Sequence, residues 1–159
     1  SWSLSESDYR RISEHLTELL RESDARCAMV VDRTGQLLAT VGEALSFDPT
    51  VFASLTAADF SANDELAKMI GEPEFASLFH QGEKESMYLA DVGRRLILVV
   101  LFDQRTTVGL VRLRVKQTVQ DLLQLLNEMF GRQSHGQPES QKRGLLEGAE
   151  DEIDKLFDD

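Results

Sequence analysis

The sequence predicts an α/β fold of the α+β sandwich type: a five-stranded, mostly antiparallel sheet with helices on both faces, in the order α-β-β-α-β-β-β-α. Residues 96–102 are seven apolar residues in a row, as expected of a strand that is covered on both faces. In three other segments apolar residues recur every three or four positions, which indicates amphipathic helices. Short apolar segments between turn residues supply the other strands.

The first helix begins near the N-terminus. Ser3 or Ser5 can cap it, because Glu6 and Asp8 each follow three residues later, as in a capping box. Its apolar stripe consists of Tyr9, Ile12, Leu16, Leu19 and Leu20.

A β-hairpin follows the first helix. Residues 25–31 and 36–41 have the composition of two strands. The segment Asp32-Arg33-Thr34-Gly35 between them predicts a tight turn.

The second helix has clear start and stop signals. Asp48 can cap it, Pro49 suits its first position, and it is expected to run to Ile70. Gly71 should end it, with Pro73 beyond. The face predicted to pack on the sheet consists of Phe52, Leu55, Ala62, Leu66, Met69 and Ile70.

Three strands and a long helix complete the domain. The strands are predicted at residues 78–81, 85–91 and 94–102, with turns at Gly82 and Gly93.

The third helix should start after Thr106 or Thr107, whose hydroxyl groups can cap it, and end near Phe130. Residues 108–115 also alternate in polarity, so a sixth strand is an alternative there. Helix is preferred because the helical spacing continues for another fifteen residues.

Composition narrows the classes of partner. The chain has 159 residues, enough for one domain with a core, and a net charge of −11. This charge argues against nucleic acid or anionic lipid, since phosphate groups attract clustered Lys and Arg. No segment has the roughly 18 apolar residues of a membrane span, so no membrane insertion is expected. The single cysteine, Cys27, fits a reducing cytoplasm.

The C-terminal part differs from the domain at 1–130. Residues 131–148 hold four glycines and one proline, which predicts a flexible linker. Residues 149–159 form an acidic tail in which Ile153, Leu156 and Phe157 are spaced to share one side of a helix. This tail is either a solvated acidic segment or a short helix that docks into a groove of a partner.

Catalytic motifs are absent from the sequence. It contains neither a phosphate-binding GxxxxGK[ST] loop nor a GxSxG nucleophile elbow. His15, His80 and His135 lie far apart without metal-ligand neighbours at helical spacing, and Cys27 lies within a predicted strand. We therefore expect no catalytic residues, no metal site and no cofactor.

Several segments carry a resemblance to a known family. FDQRTTVGLVRLRVK, preceded by LAKMIGEPEF and FHQGEKESMYLADVG, resembles the Roadblock family, most closely its bacterial MglB-type GTPase-activating proteins. VVDRTGQLLATVGE, ASLTAAD and the ending EIDKLFDD are also similar to that type.

The resemblance implies a homodimer in which two sheets join edge to edge and the second helices pack side by side. It further implies that the dimer binds a Ras-like small GTPase of the MglA type and accelerates GTP hydrolysis. The implied setting is cell polarity or motility, in the cytoplasm at a cell pole.

The outer face of the second helix is the predicted partner-binding surface. Phe60 would be an aromatic residue on a face that the monomer does not bury, which favours a dimer or partner contact. MglB-type helices usually carry small or apolar residues where this chain has Asn63, Asp64 and Glu65. The predicted partner-binding residues are Ala57, Phe60, Ser61, Asn63, Asp64, Glu65 and Lys68.

The sequence leaves three functional classes open: a GTPase regulator, for which two mechanisms are possible, a scaffold and a sensor. A regulator without catalytic groups can bind the arrangement in which the GTPase's own groups are aligned. The competing mechanism is an arginine finger, for which Arg105 on a polar turn is the nearest candidate. The other classes are a dimeric scaffold that does not stimulate hydrolysis, and a small-molecule sensor.

Overall fold

Eight elements appear in the predicted order in the computed structural model, which describes residues 4–135, with side chains to residue 131. The elements are α1 (Glu6–Ser23), β1 (Cys27–Asp32), β2 (Leu37–Gly42), α2 (Pro49–Met69), β3 (Ser77–Gln81), β4 (Ser86–Val92), β5 (Leu96–Phe102) and α3 (Val108–His135). The predicted fold class is confirmed, and the strand ends differ from the predicted ones by at most two residues.

The five strands form a single sheet in the order β2-β1-β5-β4-β3, and all neighbouring strands are antiparallel. The apolar strand β5 is central, which explains why its sequence lacks polar alternation. Ile97 and Val99 point to one face of the sheet, and Leu98 and Val100 point to the other. Strands β2 and β3 are the two edges.

The two faces of the sheet are covered unequally. Helices α1 and α3 pack together over one face and bury the larger core. They run antiparallel, with Arg11 2.5 Å from Glu128 at one end and Arg114 3.3 Å from Glu22 at the other. Within the described residues, helix α2 alone covers the other face, and no other element of that part of the chain packs on its outer surface.

The predicted capping residues hold the helix ends. The Ser5 hydroxyl accepts a hydrogen bond from the Asp8 amide at 3.0 Å, and the Asp48 carboxylate accepts one from Thr50 at 2.9 Å. The Thr107 hydroxyl accepts one from the Leu110 amide at 3.2 Å. Gly71 follows α2 with a φ of +87°, a backbone conformation that favours glycine.

The third helix forms where a sixth strand was the alternative, and it extends beyond its predicted end. Residues 108–115 are helical, so the sixth strand does not form. Helix α3 continues past Phe130 to His135, because Gly131 does not interrupt it, so the predicted linker boundary at residue 131 lies within the helix. Residues 136–148 and the tail at 149–159 lie outside the described residues.

None of the helices in the described part of the chain is long and apolar enough to cross a membrane.

Candidate partner-binding surface on the second helix

Helix α2 packs on the sheet with the face opposite to the predicted one. Its buried residues are Ala53, Thr56, Ala57, Phe60, Asn63 and Ala67. Among the predicted sheet-facing residues Ala62 is exposed and Phe52 is only half-buried. The other four are 58–82% exposed: Leu55, Leu66, Met69 and Ile70. The prediction was wrong because α2 is apolar on both faces, and small alanines on the inner face let the helix lie close to the sheet.

Phe60 and Asn63 are therefore not surface residues. Phe60 has no exposed surface and belongs to the core between α2 and the sheet, with Met29 and Val31 of β1. Asn63 is 6% exposed on the same inner face. Because neither side chain reaches the outer surface, their assignment to the partner-binding surface is wrong.

The turn between β1 and β2 places the side chain of Arg33 over the Phe60 ring. Asp32 is fully buried, and its carboxylate accepts hydrogen bonds from the Thr34 and Gln36 amides, each at 2.9 Å. At Gly35, with a φ of +97°, an added Cβ would lie 3.1 Å from the Ser54 backbone, so the turn and α2 approach closely. This turn presents Arg33 to α2.

Arg33 joins the turn, α2 and the sheet. Its guanidinium lies 4.7 Å from the centre of the Phe60 ring, a cation–π distance. It also contacts the Asp64 carboxylate at 2.7 Å and pairs with Asp91 of β4. The Asp91 side chain is 7% exposed, and burial raises the pKa of its carboxyl group, whereas the positive charge of Arg33 acts to lower it.

A groove of about 330 Å³ runs along this side of α2. Four of the predicted partner-binding residues line it: Ala57, Ser61, Asp64 and Lys68, here called the charged flank. Arg33, Pro73, Glu74 and Arg94 line its opposite wall, where Arg94 and Glu74 are paired at 3.0 Å.

Glu65 is the remaining predicted partner-binding residue. It is exposed, and Lys68 Nζ lies 3.2 Å from its carboxylate. Sequence reasoning missed Arg33, Glu74 and Arg94, because it interpreted Arg33 only as part of a turn. The Asp-x-x-Gly pattern around it was the available signal that the turn holds a defined side-chain position.

The other side of α2 is apolar. Its exposed residues are Val51, Leu55, Ala58, Ala62, Leu66, Met69 and Ile70, here called the apolar flank. Between this flank and the edge strand β3, Asp59 lies 2.6 Å from His80. The Asp59–His80 contact places the middle of α2 beside β3.

A cavity of about 580 Å³ lies between the N-terminal end of α2 and the β3–β4 turn. Leu45, Phe47, Phe52, Met87 and Leu101 give it a mainly apolar lining. Cys27 lies at its wall, and burial raises the pKa of this thiol.

Charged pairs surround the cavity. Arg26 contacts Glu43 at 2.7 Å and also pairs with Glu85. Arg105 contacts Glu43 at 2.8 Å and Asp103 at 3.0 Å, and these bonds raise the pKa of its guanidinium further.

No group of three or more His, Cys, Asp or Glu side chains within the described residues is placed to hold a metal ion. The predicted tail-docking residues Ile153, Leu156 and Phe157 lie outside those residues.

Comparison with known proteins places this geometry in a family context. Residues 11–102 match the sequence profile of the Roadblock/LC7 domain. The chain is similar to Myxococcus xanthus MglB, with 39% identity over 80% of this chain and 96% of that one, and a TM-score of 0.75. It is similar to the gliding protein MglB of Thermus thermophilus, with 34% identity, coverages of 80% and 97%, and a TM-score of 0.74. It is also similar to MglB in a tetrameric arrangement, with 34% identity, coverages of 80% and 96%, and a TM-score of 0.76.

Proposed function

The chain belongs to the Roadblock/LC7 family, and we propose that it regulates a Ras-like small GTPase of the MglA type by accelerating GTP hydrolysis. The observation that carries the proposal is the 39% identity to Myxococcus xanthus MglB over 96% of that protein. The process served is cell polarity or motility, in the cytoplasm at a cell pole.

The regulator acts as a homodimer, and the apolar flank supports this step. Val51 and Met69 both lie nine residues from position 60, and Ala58 and Ala62 both lie two residues from it. Leu55 and Leu66 are at nearly equal distances as well. A second copy of α2 in antiparallel orientation would therefore meet large residues with large ones and alanines with alanines.

The edge strand β3 supports the same symmetry axis. Among the described strands its only sheet neighbour is β4, so its other edge is available to pair with a second β3. Since Asp59 lies beside His80, the centre of α2 and the centre of β3 are adjacent. One two-fold axis can thus pair the helices and the strands together.

The GTPase binds the charged flank and the adjoining outer surface of α2. Ser61, Asp64, Glu65 and Lys68 offer donors and acceptors there, and Ala57 at the groove floor permits close approach. Asp64 is already held by Arg33, which fixes its position before a partner arrives. In the dimer two such helices lie side by side.

Stimulation requires no catalytic centre in this chain. The Mg²⁺, the attacking water and the cation that stabilises the transferred phosphoryl group can all be held by the GTPase. The regulator then stabilises the switch conformation in which they are aligned. Arg105 is poorly suited to act as a finger, since Asp103 and Glu43 already occupy its guanidinium.

Arg105→Ala should therefore leave stimulated hydrolysis within about threefold of the wild-type rate. An arginine finger contributes roughly 10³- to 10⁵-fold. A loss of that size in a GTP turnover assay, with dimerisation unchanged, would establish Arg105 as the finger instead.

The acidic tail supplies a second contact with the GTPase, through Ile153, Leu156 and Phe157. Deleting residues 148–159 should weaken binding of the GTPase while the dimer persists. Unchanged affinity would leave the tail as a solvated acidic segment.

GTP turnover by the MglA-type GTPase, with and without this protein, tests the proposal directly. Faster turnover in proportion to the regulator supports it. Stable binding without faster turnover would favour the scaffold alternative, for which the exposed charge of Glu65 is the relevant departure from the family pattern. If the GTPase neither binds this protein nor hydrolyses GTP faster in its presence, both the activator proposal and the scaffold alternative are contradicted.

A further inference from the structure

The two ends of α2 have opposite shapes. At its C-terminal end all residues from 68 to 73 are exposed, and Met69 is 82% exposed. No atom would lie within 4 Å of a Cβ added at Gly71. This end projects from the protomer as an apolar knob that consists of Met69 and Ile70.

The N-terminal end of the same helix is recessed. The cavity of about 580 Å³ opens there, with Phe52 of α2 and Phe47 of the preceding loop in its wall. Their rings contact each other in a tilted arrangement, with centroids 4.7 Å apart and an interplanar angle of 35°, so this part of the wall is preformed. The lining is mainly apolar, although the cavity is open at the surface of the protomer.

We propose that this cavity is a socket that a second copy of the chain fills with Ile70, flanked by Met69. The inference rests on the homodimer of the proposed function and adds the residues that anchor it. Each protomer supplies one knob and one socket, so a two-fold dimer closes two of these contacts.

The axis defined by the centres of α2 and β3 brings the knob to the socket. A partner helix that runs antiparallel about position 60 places Ile70 opposite residues 50–52, at the cavity rim. A partner β3 that runs antiparallel about its centre places its first residue opposite Gln81, which lines the same cavity. The chain between α2 and β3 of the partner, which begins at Ile70, therefore lies over the opening in both constructions.

The exposed apolar area of the flank and the orientation of the helix dipoles both favour a second copy of the chain as the occupant of the socket. The large apolar residues of the flank expose on the order of 500 Å² per protomer, near the upper end of what a monomer leaves uncovered. Two such surfaces with the paired β3 edges reach the roughly 1,200 Å² of a stable interface. The antiparallel arrangement also places the negative end of one helix dipole beside the positive end of the other.

Sedimentation of Ile70→Asp tests the knob. Because each dimer would lose two buried isoleucines, we expect the dimer dissociation constant to rise at least 100-fold. Leu113→Asp is the matched control: Leu113 is a similarly exposed leucine on α3, on the other face of the sheet, and its loss should leave the dimer unchanged. Thermal unfolding of both variants at high dilution checks that the protomer still folds.

Cross-linking between mixed protomers tests the socket. Ser46 lines the cavity and is exposed, so Ser46→Cys protomers and Ile70→Cys protomers should join through a short bis-maleimide. The pair Ser46→Cys and Leu113→Cys should not, and wild-type protein with only Cys27 gives the background.

The outcomes separate the socket from the dimer. If Leu55→Asp dissociates the dimer while Ile70→Asp does not and no cross-link forms, the dimer stands and the socket is wrong. If the wild-type chain is monomeric, the proposed dimer fails together with the socket. One molecule of anilinonaphthalene sulfonate bound per protomer of an intact dimer would show an open cavity and would also overturn the inference.

Discussion

The two flanks of α2 differ in chemistry although they belong to one helix of 21 residues. The charged flank is held in place by this chain itself, through Arg33, Asp64 and Asp91. The apolar flank has no neighbour among residues 4–135, and Leu55, Leu66, Met69 and Ile70 are largely exposed there. This difference is the basis of our proposal that a second copy covers the apolar flank, whereas the charged flank stays free for a polar partner.

The largest effect should come from the inner face, between the two flanks. Phe60→Ala is expected to lower the free energy of unfolding by about 3–5 kcal/mol, since it empties a fully buried site. Leu55→Ala should cost less than about 1 kcal/mol at concentrations where the protein is monomeric, because Leu55 is 65% exposed. Urea unfolding of both variants decides whether the orientation of α2 is right, and equal losses would contradict it.

On the apolar flank, Leu55→Asp should raise the dimer dissociation constant at least 100-fold, since two leucines per dimer would be replaced by charges. Sedimentation equilibrium measures this, again with Leu113→Asp as the control. A dimer that withstands Leu55→Asp would show that the apolar flank faces solvent or another partner.

On the charged flank, Ser61→Arg should weaken GTPase binding about tenfold, because it places a long cation in the groove. The dimer should persist, in contrast to Leu55→Asp. Ser7→Arg on the exposed side of α1 is the matched control. If Ser61→Arg binds the GTPase normally by surface plasmon resonance, the charged flank is not the docking surface.

The smallest expected effect is a pH dependence of stability that arises in the Arg33 cluster, which consists of Arg33, Asp64 and Asp91. Burial raises the pKa of the Asp91 carboxyl group above its value in the unfolded chain. The folded state therefore binds this proton more tightly, so the contribution of Asp91 favours folding at low pH and is lost as pH rises through the folded-state pKa. Relative to Asp91→Asn, the wild-type protein should lose stability as pH increases through that range. Urea unfolding at stepped pH measures this difference, and an increase with pH would contradict it.

The sequence was sufficient for the fold because each element carries its own local signals. The caps at Ser5, Asp48 and Thr107, the turn before Gly35 and the apolar run of β5 are all local patterns. The elements that these patterns predict all form in the structure. Small differences occur at the strand ends, because pairing with the neighbouring strand determines where each strand ends.

The orientation of α2 could not be predicted in the same way. Periodicity identifies an apolar stripe but not what covers it, and α2 has one stripe for its own sheet and another that its own sheet does not cover. The inner stripe can be recognised only once the structure is known, from the alanines that let Phe60 reach the sheet. The Arg33 cluster joins residues 31 and 58 positions apart in sequence, so no local pattern predicts it.

Single-turnover GTP hydrolysis by the MglA-type GTPase most directly tests the central claim that a dimer of this protein stimulates the GTPase through α2. The account predicts that wild-type protein accelerates hydrolysis, that Leu55→Asp and Ser61→Arg each lose most of this stimulation, and that Leu113→Asp and Ser7→Arg retain it. Equal stimulation by all five proteins, or none by the wild type, would contradict the account.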